Sequence, residues 1–219
     1  MDNQDMKVIA SQLRQPHGKK GIEVAELMNE TNIKMTCHSI DQLNILDNDK
    51  ILELGHGNCG HLKYLLNRSD NLKYYGLETS ELMMREAQNI NSSFVDNKKA
   101  SFHFYEGLNI PFSDHYFDRI FTVNTIYFWD NPKFLMLELY RVIKPFGILN
   151  ITFSKEKFMR ELPFTQYGFD FYNGDKIAQL IGNLPFRIVA SNTQTETVKS
   201  KAGDTVKREF TTISVKKEV

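Results

Sequence analysis

The polar and apolar positions change period near residue 50. Before it, Ile22, Leu27 and Met28, then Met35, Ile40 and Leu43, recur near helical spacing, so residues 8–45 read as helical, with Asn29 to Asn32 breaking the run. After it, short apolar runs alternate with helical stretches. Ile51-Leu52-Glu53-Leu54 reads as a strand closed by Gly55, Gly60 to Asn67 as a helix, and Leu72 to Leu77 as a second strand. Ser80 is a suitable N-cap for a helix through Asn89, with Glu81 in its first turn, where the helix dipole favours a carboxylate. Ser101 to Tyr105 and Phe117 to Val123 give a third and a fourth strand. Pro132 opens a helix that runs to Ile143, and Pro145 and Gly147 end it before a fifth strand, Ile148 to Phe153.

Strands alternating with helices predict an α/β fold, a doubly wound, mostly parallel sheet covered on both faces. The C-terminal part departs from that rhythm. A helix near Asp175 to Ile181 precedes two strand-like runs, Arg187 to Thr195 and Val206 to Ser214, joined by the turn residues Lys201-Ala202-Gly203-Asp204. The sheet is therefore expected to hold seven strands and to end with an antiparallel C-terminal strand. No linker or repeat divides the chain, which reads as one domain over 1–219. Within it, 1–45 form a helical N-terminal cap, 46–153 the core, 154–174 a lid-like insertion rich in Phe and Tyr, and 175–219 the C-terminal helix and hairpin.

Composition narrows the function classes. Lys+Arg and Asp+Glu are 27 each, which argues against the basic face of a nucleic-acid-binding protein. The C-terminal cations Lys199, Lys201, Lys207, Arg208, Lys216 and Lys217 are offset by Asp204, Glu209 and Glu218 and read as a solvated hairpin. No run approaches the roughly 18 apolar residues of a membrane helix, and Met1 to Lys7 lack the apolar core of a signal peptide. With Cys37 and Cys59 as the only cysteines, a reducing, cytoplasmic location is expected.

The chemistry gathers after the first strand, in Glu53-Leu54-Gly55-His56-Gly57-Asn58-Cys59-Gly60. Glycines there let a ligand approach the backbone, and the following helix offers free N–H groups. Gly55, Gly57 and Gly60 spell G-x-G-x-x-G, which would suit an NAD(P)-dependent oxidoreductase. Glu53 argues otherwise, since a carboxylate at that strand end repels a pyrophosphate and suits an ammonium group. Glu78 ends the second strand, where a carboxylate can accept from both hydroxyls of a ribose. His56, Cys59 and His61 are metal-ligand types, but no second ligand pair follows, so no metal is expected. No G-x-S-x-G elbow supports a hydrolase.

Four stretches in order then resemble the class I S-adenosylmethionine-dependent methyltransferases, in the branch acting on small molecules. They are Ile51 to Gly57, Gly76 to Ser80 with Met83 and Ala87, Tyr105-Glu106-Gly107 with Ile110 to Phe112 and Phe117-Asp118, and Glu138 to Pro145 with Gly147. The chain departs from the family pattern at Cys59, His56 and Phe146, where small residues or glycine are usual. The resemblance implies a Rossmann-like methyltransferase fold and S-adenosyl-L-methionine as cofactor, with S-adenosyl-L-homocysteine as product. It implies that Glu53, Gly55, His56 and Gly57 hold the amino-acid end, that Glu78 binds the ribose, and that Thr79 and Met83 flank the adenine. It likewise implies that Glu106 accepts from the adenine amino group beside Gly107, and that Asn124 lies beside the methionine portion. Tyr127 and Trp129 after the fourth strand, with Asn29, Asn32 and His17 in the cap, are candidate contacts for a small-molecule acceptor. No spacing compels a catalytic base, for which His17, Tyr127 and His56 are candidates. A non-catalytic cofactor-binding module is the other alternative to methyl transfer.

Overall fold

The computed structural model describes residues 3–182, 184–199 and 205–218, without the Lys199 side chain. The turn expected at Lys201 to Asp204 lies outside the described residues. Two helices, α1 (Asn3–Arg14) and α2 (Gly18–Asp41), precede the sheet. The strands are β1 (Lys50–Leu54), β2 (Lys73–Glu78), β3 (Ala100–Phe104), β4 (Phe117–Val123), β5 (Ile143–Ser154), β6 (Phe186–Lys199) and β7 (Thr205–Lys217). Between them lie α3 (Leu62–Leu66), α4 (Glu81–Ile90), α5 (Ser92–Asp96), α6 (Pro132–Val142), α7 (Glu156–Arg160) and α8 (Gly174–Ile181).

The seven strands run in the order β3-β2-β1-β4-β5-β7-β6, parallel from β3 to β5. β7 is antiparallel to both β5 and β6. Strand alternation sorts the core into two faces. Leu52, Leu54, Ile120, Leu149 and Ile151 pack with Leu135, Met136 and Leu139 of α6 and Ile177 and Ile181 of α8. Ile51, Tyr74, Phe102 and Phe121 pack on the other side with Ile40 of α2, Leu62 and Leu65 of α3 and Ala87 of α4. Glu53 alternates with Ile51 and so rises on this second face, at the carboxyl edge where β1 gives way to the glycine loop. The order reverses between β2-β1 and β4, and at such a switch point the loops splay apart and leave a crevice.

Three expectations are corrected. The helical run is not broken at Asn29 to Asn32. α2 is continuous, with Asn29 and Asn32 turned to a cavity described below, and the break falls at Pro16, before His17. β5 begins at Ile143 rather than Ile148, with a register shift that absorbs Lys144 to Gly147. Phe146 takes a left-handed φ of 64° there, and a Cβ on Gly147 would sit 2.6 Å from Ile143 Cγ1. The C-terminal hairpin is not simply solvated. Arg208 is buried against Glu196 at 2.7 Å, and the Lys217 ammonium is buried on the carbonyls of Tyr140 and Ile143. No described helix is long and apolar enough to cross a membrane.

Candidate functional site

The crevice at the switch point is a cavity of about 290 Å³. Every residue assigned above to the cofactor lines it, namely Glu53, Gly55, His56, Gly57, Glu78, Thr79, Met83, Glu106, Gly107 and Asn124. Four strand ends at the carboxyl edge, those of β1, β2, β3 and β4, supply them, and Asn29 and Asn32 of α2 line the cavity too. Trp129 also lines it, whereas Tyr127 does not and lines a second cavity. His17 lines neither. Its backbone N–H donates to Gln12 Oε1 at 3.0 Å, and its ring meets Gln12 Nε2 at 3.1 Å.

Glu78 is the organising carboxylate. Its Oε2 accepts from the Gly57 N–H at 3.0 Å, and its Oε1 accepts from the N–H groups of Thr79 at 2.8 Å and Ser80 at 3.2 Å. It thereby ties the glycine loop to the next strand's end. The loop needs its glycines for two different reasons. Gly55 has φ 70°, and a Cβ there would lie 2.3 Å from Thr125 Cγ2. Gly57 has φ 55° but nothing within 4 Å of that position, so its side is open. Gly107 (φ 82°) would place a Cβ 3.5 Å from Thr79 Cγ2, so these two residues face each other across one end of the cavity.

Glu53 is held from behind. Its Oε2 accepts from His61 Nε2 at 2.8 Å and from the Tyr74 hydroxyl at 2.5 Å. The Cys59 thiol donates to the Tyr74 oxygen at 3.2 Å and lies 3.8 Å from His61 Nε2. Glu53 Oε1 has no such partner and is the oxygen left for the cavity. Cys59, at the position where the family pattern has glycine, adopts φ 52° and is fully buried in this cluster. The donor atoms of Glu53, Cys59 and His61 lie within 4.8 Å of one another, a metal-compatible grouping, yet they are engaged with one another and with Tyr74. His56 stands apart from them. Its Nδ1 donates to the Gly57 carbonyl at 2.7 Å, and its ring occupies the space that a side chain on Gly76 would fill.

The two histidines titrate in opposite directions. Burial pushes His56 below its ordinary pKa and keeps it neutral. Burial also opposes charge on His61, but the Glu53 carboxylate and the Cys59 sulfur outweigh it and hold His61 well above its ordinary range. A raised folded pKa contributes stability that is full below the unfolded value of about 6.5 and is lost as pH rises through the folded value. The melting-temperature gap between the native chain and His61→Gln is therefore expected to be widest near pH 6 and to narrow steadily toward alkaline pH. A gap constant from pH 6 to 10 would contradict the charged pair.

Several lining residues carry no signal in the sequence. Arg14 at the end of α1 pairs with Asp130 at 2.5 Å across the rim, and the Gln15 amide donates to the Thr79 carbonyl at 2.6 Å. The Ser80 hydroxyl donates to the Pro16 carbonyl at 2.6 Å and also caps α4 through the Met83 N–H. The α1–α2 junction is thus locked onto the Thr79 side of the cavity.

The second cavity, about 310 Å³, adjoins the first, and Leu13, Met28, Asn32, Asn124 and Phe128 line both. Its floor is the insertion, where Phe169 packs 4.6 Å from Phe128 and 5.9 Å from Tyr127, centroid to centroid. Tyr127 is buried, and its hydroxyl donates to Asn124 Oδ1 at 3.0 Å and accepts from the Ser154 N–H at 2.6 Å. It braces Asn124, whose φ of 58° turns the chain out of β4.

Known proteins resemble this chain in sequence and in fold. A family model described as a methyltransferase domain matches residues 52–151. Two Bacillus subtilis (strain 168) proteins, YrhH and YdaC, both named as methyltransferases with no acceptor stated, are 27% and 26% identical over 127 residues. Each match spans 58% of this chain, and 69% and 67% of those proteins. Among solved structures, a chain in the Haloferax volcanii complex of the Trm112 methyltransferase activator with a methyltransferase superposes with TM-score 0.76. It is 12% identical and covers 90% of this chain and 95% of its own. A SAM-dependent methyltransferase from Aquifex aeolicus gives TM-score 0.64 at 18% identity, covering 88% and 96%. At such identities the likeness concerns the fold.

Proposed function

We propose that the chain is a class I S-adenosylmethionine-dependent methyltransferase, a reading supported by the methyltransferase-domain match over residues 52–151, and that it transfers a methyl group from S-adenosylmethionine to a small-molecule acceptor and releases S-adenosylhomocysteine. The observation that supports this most is the convergence of all ten expected residues on one cavity at the switch point. The residues fit the cofactor's groups in turn. Glu53 keeps Oε1 toward the cavity, suited to the ammonium. Glu78 ends its strand with both oxygens already oriented by backbone N–H groups, suited to ribose hydroxyls. Thr79 and Gly107 bound a slot for a flat base, with Glu106 at its edge as acceptor for an amino group.

When bound, the cofactor supplies a methyl group made electrophilic by its sulfonium. The chain's task is positioning and exclusion of water. Asn124, Asn32 and Phe128 stand where the two cavities meet, so the second cavity is the proposed acceptor site. Leu13 of α1 and Met28 and Asn32 of α2 line that junction, while the 154–174 insertion lines only the second cavity. A cytoplasmic location belongs to the same proposal.

Glu53 opposes the oxidoreductase reading, since a carboxylate lining the cavity at that strand end repels a pyrophosphate. A crystal structure of the S-adenosylhomocysteine complex tests the proposal. The expected result is ligand in the first cavity with ribose hydroxyls on Glu78. Ligand placed elsewhere, or Glu78 without ribose contacts, would overturn the assignment.

A further inference from the structure

We propose, resting on the methyl-transfer reading, that the acceptor is a largely apolar molecule seated in the second cavity, and that it reacts as a nucleophile in its own right, without a base from the walls of that cavity. The walls are Met6 and Ile9 of α1, Leu27 of α2, Met159, Phe164 and Val206. The polar groups that line it are nearly all engaged elsewhere. Arg208, its one charged lining residue among those described, gives Nε and Nη2 to Glu196 Oε1 at 3.0 and 2.7 Å, Nη1 to Asn32 Oδ1 at 3.0 Å and Nη2 to the Thr31 carbonyl at 2.5 Å. The Thr31 hydroxyl donates to the Leu27 carbonyl at 2.8 Å. A second charge placed deep in this cavity would find no partner, and burying an unpaired charge is strongly unfavourable. The exception is the end shared with the cofactor cavity. There, among the described residues, no hydrogen-bond partner faces Asn32 Nδ2, and Asn124 Nδ2 makes a 3.5 Å contact with Met35 Sδ. One polar atom at that end and an apolar body behind it is the acceptor shape the cavity matches.

The same walls hold no proton acceptor. No Asp, Glu or His among the described residues lines the second cavity. Burial pushes the Tyr127 hydroxyl above the ordinary phenol range, and that hydroxyl donates to Asn124. An acceptor thiol or phenol therefore loses its proton to solvent before it enters. Its lone pair then forms the new bond to the methyl carbon as the methyl–sulfonium bond breaks, and that electron pair stays on the cofactor's sulfur.

The test uses matched naphthalenes on the S-adenosylhomocysteine-bound chain. In calorimetry, 2-naphthol is expected to bind at one site, and 6-hydroxynaphthalene-2-sulfonate at least tenfold more weakly. Leu27→Trp on α2 and Val206→Trp on β7, both lining the second cavity and not the first, are each expected to weaken 2-naphthol at least tenfold while S-adenosylhomocysteine affinity stays within twofold. With radiolabelled S-adenosylmethionine, methylation of 2-naphthalenethiol is expected to exceed that of 2-naphthol at pH 7, and 2-naphthol methylation to rise about tenfold per pH unit below its own pKa. Equal binding of the sulfonate, indifference of binding to both tryptophan variants, or a pH-independent rate with 2-naphthol would overturn the proposal while leaving the cofactor assignment intact. A chain that binds no S-adenosylhomocysteine would overturn the methyl-transfer reading itself.

Discussion

Glu78→Ala is expected to weaken S-adenosylhomocysteine binding by about a hundredfold or more. Two losses combine. The ribose hydroxyls lose a charged acceptor, worth about 1.5–3 kcal/mol per hydrogen bond, and about 1.4 kcal/mol is a factor of ten. The Gly57, Thr79 and Ser80 N–H groups also lose the oxygens that fix them, so the loop no longer presents a preformed cradle. Glu78→Gln keeps one oxygen as acceptor and is expected to fall between the two. Calorimetry on folded variants decides it, and an affinity within threefold of native for Glu78→Ala would remove Glu78 from the site.

Gly55→Ala carries the second large effect. The added methyl meets Thr125 Cγ2 at 2.3 Å in a backbone with φ 70°. Thr125 has little room to move, since its hydroxyl bonds that of Thr122 and accepts from Trp129 Nε1 at 3.2 Å. Strain and overpacking together are expected to cost at least about 3 kcal/mol of stability. Gly57→Ala has the left-handed backbone without the clash, so its cost is expected to be only about 1–2 kcal/mol. Urea unfolding of the pair separates the two terms. Equal destabilisation would show that backbone conformation alone governs the loop.

What the sequence disclosed about this site followed from how local the signals are. The strand ends, the glycine loop and Ser80 are written in consecutive residues, and the side-chain alternation of β1 puts Glu53 on the face of Ile51 without any tertiary knowledge. All ten cofactor candidates accordingly line one cavity. Partners brought together only by folding had no such signature. Tyr74 reads as an ordinary strand residue until its hydroxyl is found on Glu53, and His61 reads only as a metal-ligand type with no second pair, not as the partner of Glu53. Arg14, Gln15 and Asp130 at the rim belong to chain segments far apart in sequence. Asn29 and Asn32 were legible as polar residues of the cap but not as members of an unbroken helix, because three-residue spacing on one face looks like a break when the cavity they line is unseen. His17 has the polarity of a site residue and is held instead by Gln12. Arg208 and Lys217 look solvated from composition, whereas the sheet buries them against Glu196 and two backbone carbonyls.

The central claim is that the first cavity is built for a sulfur-containing adenosine cofactor. Separate calorimetric titrations of the purified chain with S-adenosylmethionine, S-adenosylhomocysteine and NADH address it most directly. The account predicts single-site binding of both sulfur compounds, abolished together by Glu78→Ala, with no heat from NADH. Binding of NADH without either sulfur compound would contradict it and restore the Gly55-Gly57-Gly60 fingerprint to a dinucleotide.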